Sequence, residues 1–191
     1  MKNNILLSGG LSRLGKEILR LYNLKNTNFY VIRSSIKKNF YNRKKKINYL
    51  TINFLDKNLE KKLNQIRKIK KIDTYIQLAN FNPGRKEIHK FSSRDIHNSY
   101  KINYYAHFLI LQIVYKKMSK QKKGSIINIS SNASKTGGNR IYPYASMKAA
   151  YDNIILSLKT DEKYLGNNIK FRTYYLKSIN NFKNIAKKIK I

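Results

Sequence analysis

A serine, a tyrosine and a lysine in the stretch ISSNASKTGGNRIYPYASMK have side chains that together could transfer a proton. Ser131 lies thirteen residues before Tyr144, and Lys148 lies four residues after it. Residues four apart face the same side of a helix, so a helical segment makes the tyrosine and the lysine neighbours. An ammonium group beside a phenol favours the phenolate. The spacing therefore predicts a lowered pKa for Tyr144 and a proton donor or acceptor for a carbonyl oxygen.

The Tyr-x-x-x-Lys spacing carries little weight alone, because the chain has 15 tyrosines and is rich in lysine. Its context is more specific. The run GSIINIS at 124–130 predicts a buried central strand, and Ser131 follows directly after it. Open α/β sheets bind ligands beyond the carboxyl ends of their strands. We therefore expect the Ser131 hydroxyl to polarise the carbonyl group on which Tyr144 acts.

Short apolar runs alternate with longer amphipathic ones along the chain, which is typical of a parallel sheet covered by helices. We predict one α/β domain over residues 1–191, with a doubly wound parallel sheet of about six strands in three α/β/α layers. The predicted strands cover 4–8, 29–32, 47–53, 72–79, 124–130 and 169–176. The predicted helices cover 14–24, a segment capped by Asp56 that contains Leu59, Leu63 and Ile66, and residues 93–119 and 144–164.

The basic tail at 181–191 has apolar residues at helical spacing, namely Phe182, Ile185 and Ile189. This pattern predicts a short amphipathic helix. Such a helix lies either on a membrane surface or against the protein, and packing over a sheet edge is the commoner arrangement.

The turn after the first predicted strand reads SGGLSRLG, from Ser8 to Gly15. Glycines in such a turn let backbone amides approach a pyrophosphate, whose charge is favoured at the N-terminus of the following helix. The second strand ends in Arg33-Ser34, without the carboxylate that binds the ribose diol of NAD(H). A cation and a hydroxyl suit a 2′-phosphate, so NADP(H) is favoured over NAD(H). The alternative is that Arg33 is one more basic surface residue.

The formal net charge of +32 has two interpretations. It is either the electrostatic footprint of a nucleic-acid or anionic-membrane binder, or the result of a general enrichment in Lys, Asn, Ile, Tyr and Phe. The basic residues are spread along the chain, including a polar link at 34–46, with short runs at 43–46 and 67–71. No recognised nucleic-acid-binding module accompanies them. We favour the compositional interpretation and expect no specific nucleic-acid partner.

Cysteine is absent, which excludes disulfides, thiolate metal sites and cysteine nucleophiles. The N-terminal apolar run at 5–7 is too short for a signal peptide, and the most apolar segment, 108–115, is too short to span a bilayer. We expect a soluble, cytoplasmic protein.

Taken together, these motifs resemble those of the short-chain dehydrogenase/reductase family over residues 4–176. SGGLSRLG is similar to the family's TGxxxGxG turn, IINISS to its serine strand and YASMK to its YxxxK pair. KINYYAHF is similar to its Asn-x-x-Gly-x-Phe region and gives Asn103. The resemblance implies a Rossmann-like fold and an oxidoreductase that uses NAD(P)(H).

The same resemblance implies a role for each matching residue. Tyr144 is the acid/base, Lys148 its electrostatic partner and a ligand of the nicotinamide ribose, Ser131 the carbonyl-binding residue, and Asn103 the residue that ties the lysine to a bound water. No metal site is implied. The implied cofactor-binding residues are Ser8, Gly9, Arg13, Leu14, Gly15, Arg33, Ser34, Asn53, Ala79 and Asn80, together with Tyr144 and Lys148.

The sequence departs from the family pattern at several cofactor positions. Arg13 stands where the family has its second turn glycine, and it either crowds the pyrophosphate or adds a cation beside it. Asn53 replaces the usual adenine-contacting aspartate. The NNAG motif reads Gln77-Leu78-Ala79-Asn80, and Leu176-Lys177 replaces a Pro-Gly pair. The chain also ends before the family's usual substrate-covering loop, last helix and seventh strand.

The resemblance implies reduction of a carbonyl or oxidation of an alcohol, on a small-molecule or acyl-thioester substrate. Reduction of a 3-oxoacyl group on an acidic carrier protein is the leading hypothesis. The alternatives are a sugar or surface-glycan tailoring dehydrogenase and a degenerate, non-catalytic protein that acts by interaction. The helices at 93–119 and 144–164 resemble the family's dimer interface, so we expect a homodimer rather than a tetramer.

Overall fold

The computed structural model describes residues 3–22, 27–35, 47–177 and 182–189. Within these residues, six strands form one parallel sheet in the order β3-β2-β1-β4-β5-β6. The strand order runs outward from β1 on one side and from β4 on the other, which confirms the predicted doubly wound arrangement. The strands are β1 (Asn3–Ser8), β2 (Thr27–Arg33), β3 (Ile47–Thr51), β4 (Thr74–Gln77), β5 (Gly124–Ser131) and β6 (Ile169–Leu176).

Helices cover both faces of this sheet. A π-helical turn, Lys101–Tyr105, joins α4 to α5, and a short 3₁₀ turn covers Ile88–Lys90. The helices are α1 (Arg13–Leu21), α2 (Leu59–Lys62), α3 (Asn64–Arg67), α4 (Ser93–Tyr100), α5 (Ala106–Gln121), α6 (Ala133–Thr136), α7 (Tyr142–Leu165) and α8 (Phe182–Lys188).

The core has two halves because successive strand residues point to opposite faces of the sheet. In β1, Leu6 packs with residues of α2, α3, α5 and α7, whereas Ile5 and Leu7 pack with residues of α1 and α8. Central strand β5 repeats this alternation with Ile126 and Ile127. Apolar burial on both faces explains why these strands are continuous apolar runs in the sequence.

Several element boundaries differ from the predicted ones. β4 covers only part of the predicted 72–79, and β3 stops at Thr51, two residues short of the prediction. The helix predicted after Asp56 is split into α2 and α3, which meet at Leu63. The long helix predicted at 93–119 is interrupted by the π turn. Helix α6 was not predicted, because its four residues are too few to show a periodicity.

The predicted tail helix is present as α8, which packs against α1 and shares a core cluster with Tyr174 and Leu176 of the edge strand β6. Ala186 and Ile189 are fully buried in the same half of the core as Leu14 and Ile18. Tyr22, at the end of α1, donates a hydrogen bond to the carbonyl of Ile189. The tail therefore completes the helical layer on that face.

Most of the basic link predicted at 34–46, including the run at 43–46, lies outside the described residues. Among the helices that the structure describes, none combines the length and the apolar character needed to cross a membrane.

Candidate active site

Lys148 is a buried cation at the carboxyl end of the central strands. It lies on α7, only 1% of its surface is exposed, and its Nζ donates a hydrogen bond to the carbonyl oxygen of Ile129 in β5 at 3.0 Å. Burial lowers the pKa of Lys148 to about 8, although the nearby carboxylate of Asp152 acts in the opposite direction. Lys148 therefore stays mostly charged at neutral pH but loses its proton in mildly alkaline solution.

Tyr144 lies on the same face of α7, one turn before Lys148, as the spacing predicted. The expected direction of its pKa shift is wrong, however. Burial raises the pKa of the phenol, a hydrogen bond with Ser131 partly opposes this, and the charge of Asp152 raises it further. The ammonium of Lys148 hydrogen-bonds to Ile129 and is itself buried, so it does not outweigh the loss of water around the phenol. Tyr144 is consequently protonated at neutral pH, the form of a proton donor.

Ser131 is the last residue of β5, rather than the first residue beyond it. Its hydroxyl accepts a hydrogen bond from the backbone N–H of Ala133 at 3.2 Å, which fixes the turn into α6. Because the same hydroxyl also contacts the Tyr144 phenol, the two groups are placed to share one acceptor oxygen.

Asn103 is fully buried in the π turn between α4 and α5. Its Oδ1 accepts from the backbone N–H of Phe81 and its Nδ2 donates to the carbonyl of Phe81, both at 2.7 Å. The side chain is thus used to hold the segment after β4. Any contact with a water beside Lys148 falls to the Asn103 backbone. π turns of this kind occur frequently at functional sites.

The glycine turn brings β1, α1 and the end of β4 very close together. Gly9 has a φ of +70°, and a Cβ placed on it would lie 2.6 Å from the backbone nitrogen of Ala79. A Cβ on Gly15 would lie 2.5 Å from the carbonyl oxygen of Gly9. Ser12 caps α1 by accepting from the backbone N–H of Gly15 at 3.1 Å. Only glycine fits the first two positions, so the N-terminus of α1 can reach a ligand at this edge.

A cavity of about 440 Å³ opens beside this turn, at the carboxyl ends of β1, β2 and β4. Its walls combine polar groups with apolar side chains from five different segments, which suits the ribose and the ring of an adenosine. Six of the predicted cofactor residues are brought together there: Gly9, Arg33, Ser34, Asn53, Ala79 and Asn80. Six further lining residues were not predicted: Leu11, Ser12, Ile32, Ile52, Phe54 and Ile102.

Arg33 is held at the rim of this cavity. Its Nε donates to the Thr51 hydroxyl at 3.0 Å, and its guanidinium lies over the ring of Tyr49, 4.9 Å from the centroid. The side chain is therefore more restricted than an ordinary surface arginine. Ser34, which follows it, is exposed beside the same opening. This geometry fits a 2′-phosphate.

Three other predicted cofactor residues have different surroundings. Ser8 is fully buried and accepts from the backbone N–H of Leu78 at 3.1 Å, so its side chain joins β1 to the end of β4. The side chain of Leu14 is buried in the core, which leaves only its backbone for a ligand. Arg13, the first residue of α1, has an exposed side chain. Because the side chain is exposed, Arg13 is better placed to add a cation beside a pyrophosphate than to crowd it.

Asp152 and His107 are two site residues that sequence reasoning did not identify. The carboxylate of Asp152 on α7 accepts from Asn128 at 2.6 Å and from Ser130 at 2.7 Å, both in β5. Its position four residues after Lys148 was the available signal. His107 is buried four residues after Asn103, within the helix predicted at 93–119. Among the described residues, no cluster of ionisable groups could hold a metal ion.

The family model for short chain dehydrogenases matches residues 3–177, which include the glycine turn, the π turn and the Ser131, Tyr144 and Lys148 positions. The chain belongs to the short-chain dehydrogenase family. This short-chain dehydrogenase is thus an oxidoreductase by family, as its motifs implied. No significantly similar curated protein was found.

Solved structures share the fold of this short-chain dehydrogenase at low sequence identity. A serine dehydrogenase from Escherichia coli has a TM-score of 0.83 and 18% identity, over 96% of this chain and 88% of its own. A proposed 3-oxoacyl-reductase from Bacillus thuringiensis has a TM-score of 0.82 and 16% identity, over 98% and 88%. ElxO, solved with NADP bound, has a TM-score of 0.77 and 20% identity, over 92% and 73%.

Proposed function

We propose that this short-chain dehydrogenase reduces a carbonyl group with NADP(H), and that the carbonyl is the 3-oxo group of an acyl thioester. The observation that carries the proposal is the contact between Ser131 and a protonated Tyr144 beside buried Lys148. The nicotinamide cofactor would supply the hydride. The Ser131 hydroxyl orients the carbonyl oxygen, Tyr144 gives it a proton, and the charge of Lys148 stabilises the phenolate that remains.

The cavity beside the glycine turn supports the choice of cofactor. Backbone amides at the start of α1 face a pyrophosphate, Phe54 and Ile52 supply apolar surface for the adenine ring, and Arg33 with Ser34 binds a 2′-phosphate. The bound NADP of the structurally similar ElxO is consistent with this choice.

The charges around the site support a substrate whose acyl group is attached to an acidic carrier protein. Arg85 is exposed on the loop after β4, and Lys135 and Arg140 are exposed on α6 and on the loop that follows it. The backbone N–H of Lys86 bonds to the carbonyl of Arg140 at 3.0 Å, so these two loops meet at one edge of the sheet. An acidic carrier protein would be attracted to this edge, most strongly at low salt. The resemblance in fold to a proposed 3-oxoacyl-reductase agrees with this substrate.

The test measures NADPH oxidation with acetoacetyl thioesters as substrates. We expect turnover by the wild type and a loss of at least about a hundredfold in Tyr144→Phe, because the proton donor is removed. Tyr142→Phe is the matched control, since Tyr142 is exposed and its ring contact with Phe91 survives the change. Turnover with sugar substrates only would favour the tailoring dehydrogenase. Failure of the wild type to bind NADPH at low salt would reject the proposal that this protein is an NADP(H)-dependent reductase.

A homodimer in the cytoplasm completes the proposal. The rings of Tyr100, Tyr104 and Phe108 stack along the outer face of α4, the π turn and α5, with centroids 5.9 and 6.0 Å apart. Ile96, one turn earlier, is 51% exposed, so this face offers apolar surface to a second copy. Light scattering should give twice the chain mass of 22.5 kDa at high salt, which screens the repulsion between two strongly basic chains. A 22.5 kDa particle there would exclude the dimer.

A further inference from the structure

His107 is a fully buried imidazole whose two nitrogens both have partners. Its Nε2 lies 2.9 Å from the carbonyl oxygen of Ala79, and its Nδ1 lies 3.0 Å from the hydroxyl of Tyr75. The rings of Phe54 and Tyr151 pack against it edge-on, with centroids 5.2 and 5.7 Å away. The ring is therefore fixed in position and in orientation.

The partners also define the protonation of the ring. A carbonyl oxygen can only accept, so Nε2 carries the hydrogen and donates it to Ala79. Nδ1 is then an acceptor for the Tyr75 hydroxyl. Burial lowers the pKa of His107 to about 3, and the positive charge of nearby Lys148 acts in the same direction. The imidazole is neutral at physiological pH, so it does not act as an acid in the reaction.

The Ala79 peptide that His107 holds is part of the cofactor cavity. Ala79 lines the cavity opposite Gly9, whose missing Cβ allows the backbone nitrogen of Ala79 to come close. That nitrogen also lies 3.4 Å from the Ser8 hydroxyl. Two residues later, Phe81 is bonded on both its N–H and its carbonyl by Asn103. One face of the helix therefore fixes the backbone on both sides of Asn80.

We propose that His107 is a positioning residue that fixes the Ala79 carbonyl, and with it the wall of the cofactor cavity opposite Gly9. The inference rests on the proposed function, because it assigns the wall to NADP(H) binding. Three contacts converge on one residue, Ala79: Ser8 at its nitrogen, Gly9 close to that nitrogen and His107 at its carbonyl oxygen. Without the bond from His107, the Ala79 carbonyl keeps only the longer hydrogen bond from the Gln77 side chain at 3.4 Å, and part of the cofactor affinity is used to order this carbonyl.

The experiment compares His107→Gln with His107→Asn. A glutamine amide nitrogen reaches the place of Nε2 and keeps the bond to Ala79, whereas an asparagine amide reaches only the place of Nδ1. We expect His107→Asn to raise the Kd for NADPH by about tenfold, as for the loss of one buried hydrogen bond. His107→Gln should stay within about threefold of the wild type. The KM for the carbonyl substrate, and kcat at saturating NADPH, should change by less than about threefold in both variants.

Fluorescence titration with NADPH measures the Kd directly, and circular dichroism checks folding. If His107→Asn does not fold, His107→Met takes its place, because it fills the buried site without a donor for the Ala79 carbonyl and should raise the Kd for NADPH to a similar extent. Equal Kd values for the wild type and the variant that folds would overturn the inference while leaving the proposed function standing. A fall in kcat together with a rise in the KM values for NADPH and for the carbonyl substrate would also overturn it, because such a pattern indicates a general structural effect. A wild type that binds no NADPH would reject both.

Discussion

The ammonium group of Lys148 donates to the carbonyl oxygen of Ile129 at 3.0 Å, in a site that excludes almost all water. An ammonium has three hydrogens to donate, and burial of an incompletely paired charge is costly. Asp152, the nearest acid on the same helix, has its carboxylate bonded to Asn128 and Ser130. Burial therefore disfavours the charged form of Lys148 and lowers its pKa to about 8.

Lys148→Met should change how stability depends on pH. The pKa of Lys148 is about 8 in the folded protein and 10.5 as the ordinary value, so between these pH values the unfolded chain binds more protons. Stability of the wild type relative to the variant should therefore rise with pH from 8 to 10.5, by about 3 kcal/mol in total. Urea unfolding of both proteins at pH 7.5 and pH 10 measures this. Parallel curves would show that Lys148 is not depressed in the folded state.

Asp152→Asn should shift the alkaline limb of activity to lower pH. The carboxylate raises the pKa values of both Lys148 and Tyr144, so its removal lowers both. Each group is needed in its protonated form for reduction, and the two effects therefore add. The pH profile of kcat/KM should move by roughly half a unit or more. Asp161→Asn is the control, because it removes an exposed charge from the same helix; a shift of equal size there would point to net charge alone.

His107 should make the protein sensitive to acid. Its pKa is about 3 when folded and 6.5 as the ordinary value, so below pH 6.5 the unfolded chain takes up a proton that the folded protein refuses. Stability should be lost as pH falls through this window, by about 2 kcal/mol between pH 6.5 and 5. His107→Gln removes the titration and should flatten this part of the urea-unfolding curve against pH. An unchanged slope would contradict the buried, neutral imidazole.

Gly9→Ala should be far more damaging than Gly84→Ala. Both glycines have positive φ, +70° and +92°, but a Cβ on Gly84 meets nothing within 4 Å, whereas one on Gly9 meets the Ala79 backbone at 2.6 Å. The change at Gly84 should cost roughly 1–2 kcal/mol of backbone strain. The change at Gly9 should cost more and should also abolish NADPH binding, because the turn must move away from Ala79. Urea unfolding and NADPH titration give the two readouts, and equal losses would refute the close approach.

Arg33→Gln should lower the affinity for NADPH by about tenfold or more while leaving that for NADH nearly unchanged. The guanidinium bound to Thr51 and stacked on Tyr49 is the group placed to meet a 2′-phosphate. Lys68→Gln, an exposed substitution on another part of the surface, controls for the change in net charge. A preference for NADPH that survives in Arg33→Gln would assign the phosphate to another cation.

The sequence was sufficient to predict the parallel sheet and the shared helical face of Tyr144 and Lys148. Continuous apolar runs such as 124–130 identify buried strands, and the spacing of Tyr144 and Lys148 places both on one helical face. The direction of the Tyr144 pKa could not be predicted, because it depends on how deeply the phenol is buried and on where the Lys148 ammonium points. Both are results of tertiary packing, which spacing along one helix does not contain.

The π turn was likewise beyond reach. Residues 101–105 read as continuous helix, since the extra residue in the turn leaves no composition signal. Asn103, within the turn, accepts a hydrogen bond from Phe81, a partner 22 residues earlier in the chain. The role of His107 could not be predicted for the same reason, because a histidine within a predicted helix does not indicate which carbonyl group it will bond.

The docking of α8 on α1 sets an order for folding during synthesis. Leu14 and Ile18 are synthesised long before Ala186 and Ile189, which share their half of the core. At a ribosomal rate of about 5–20 residues per second, the first strand–helix unit waits for roughly 10–30 seconds with an apolar face uncovered. That unit contains the glycine turn, so the cofactor cavity reaches its final support only after α8 has been synthesised and has docked on α1.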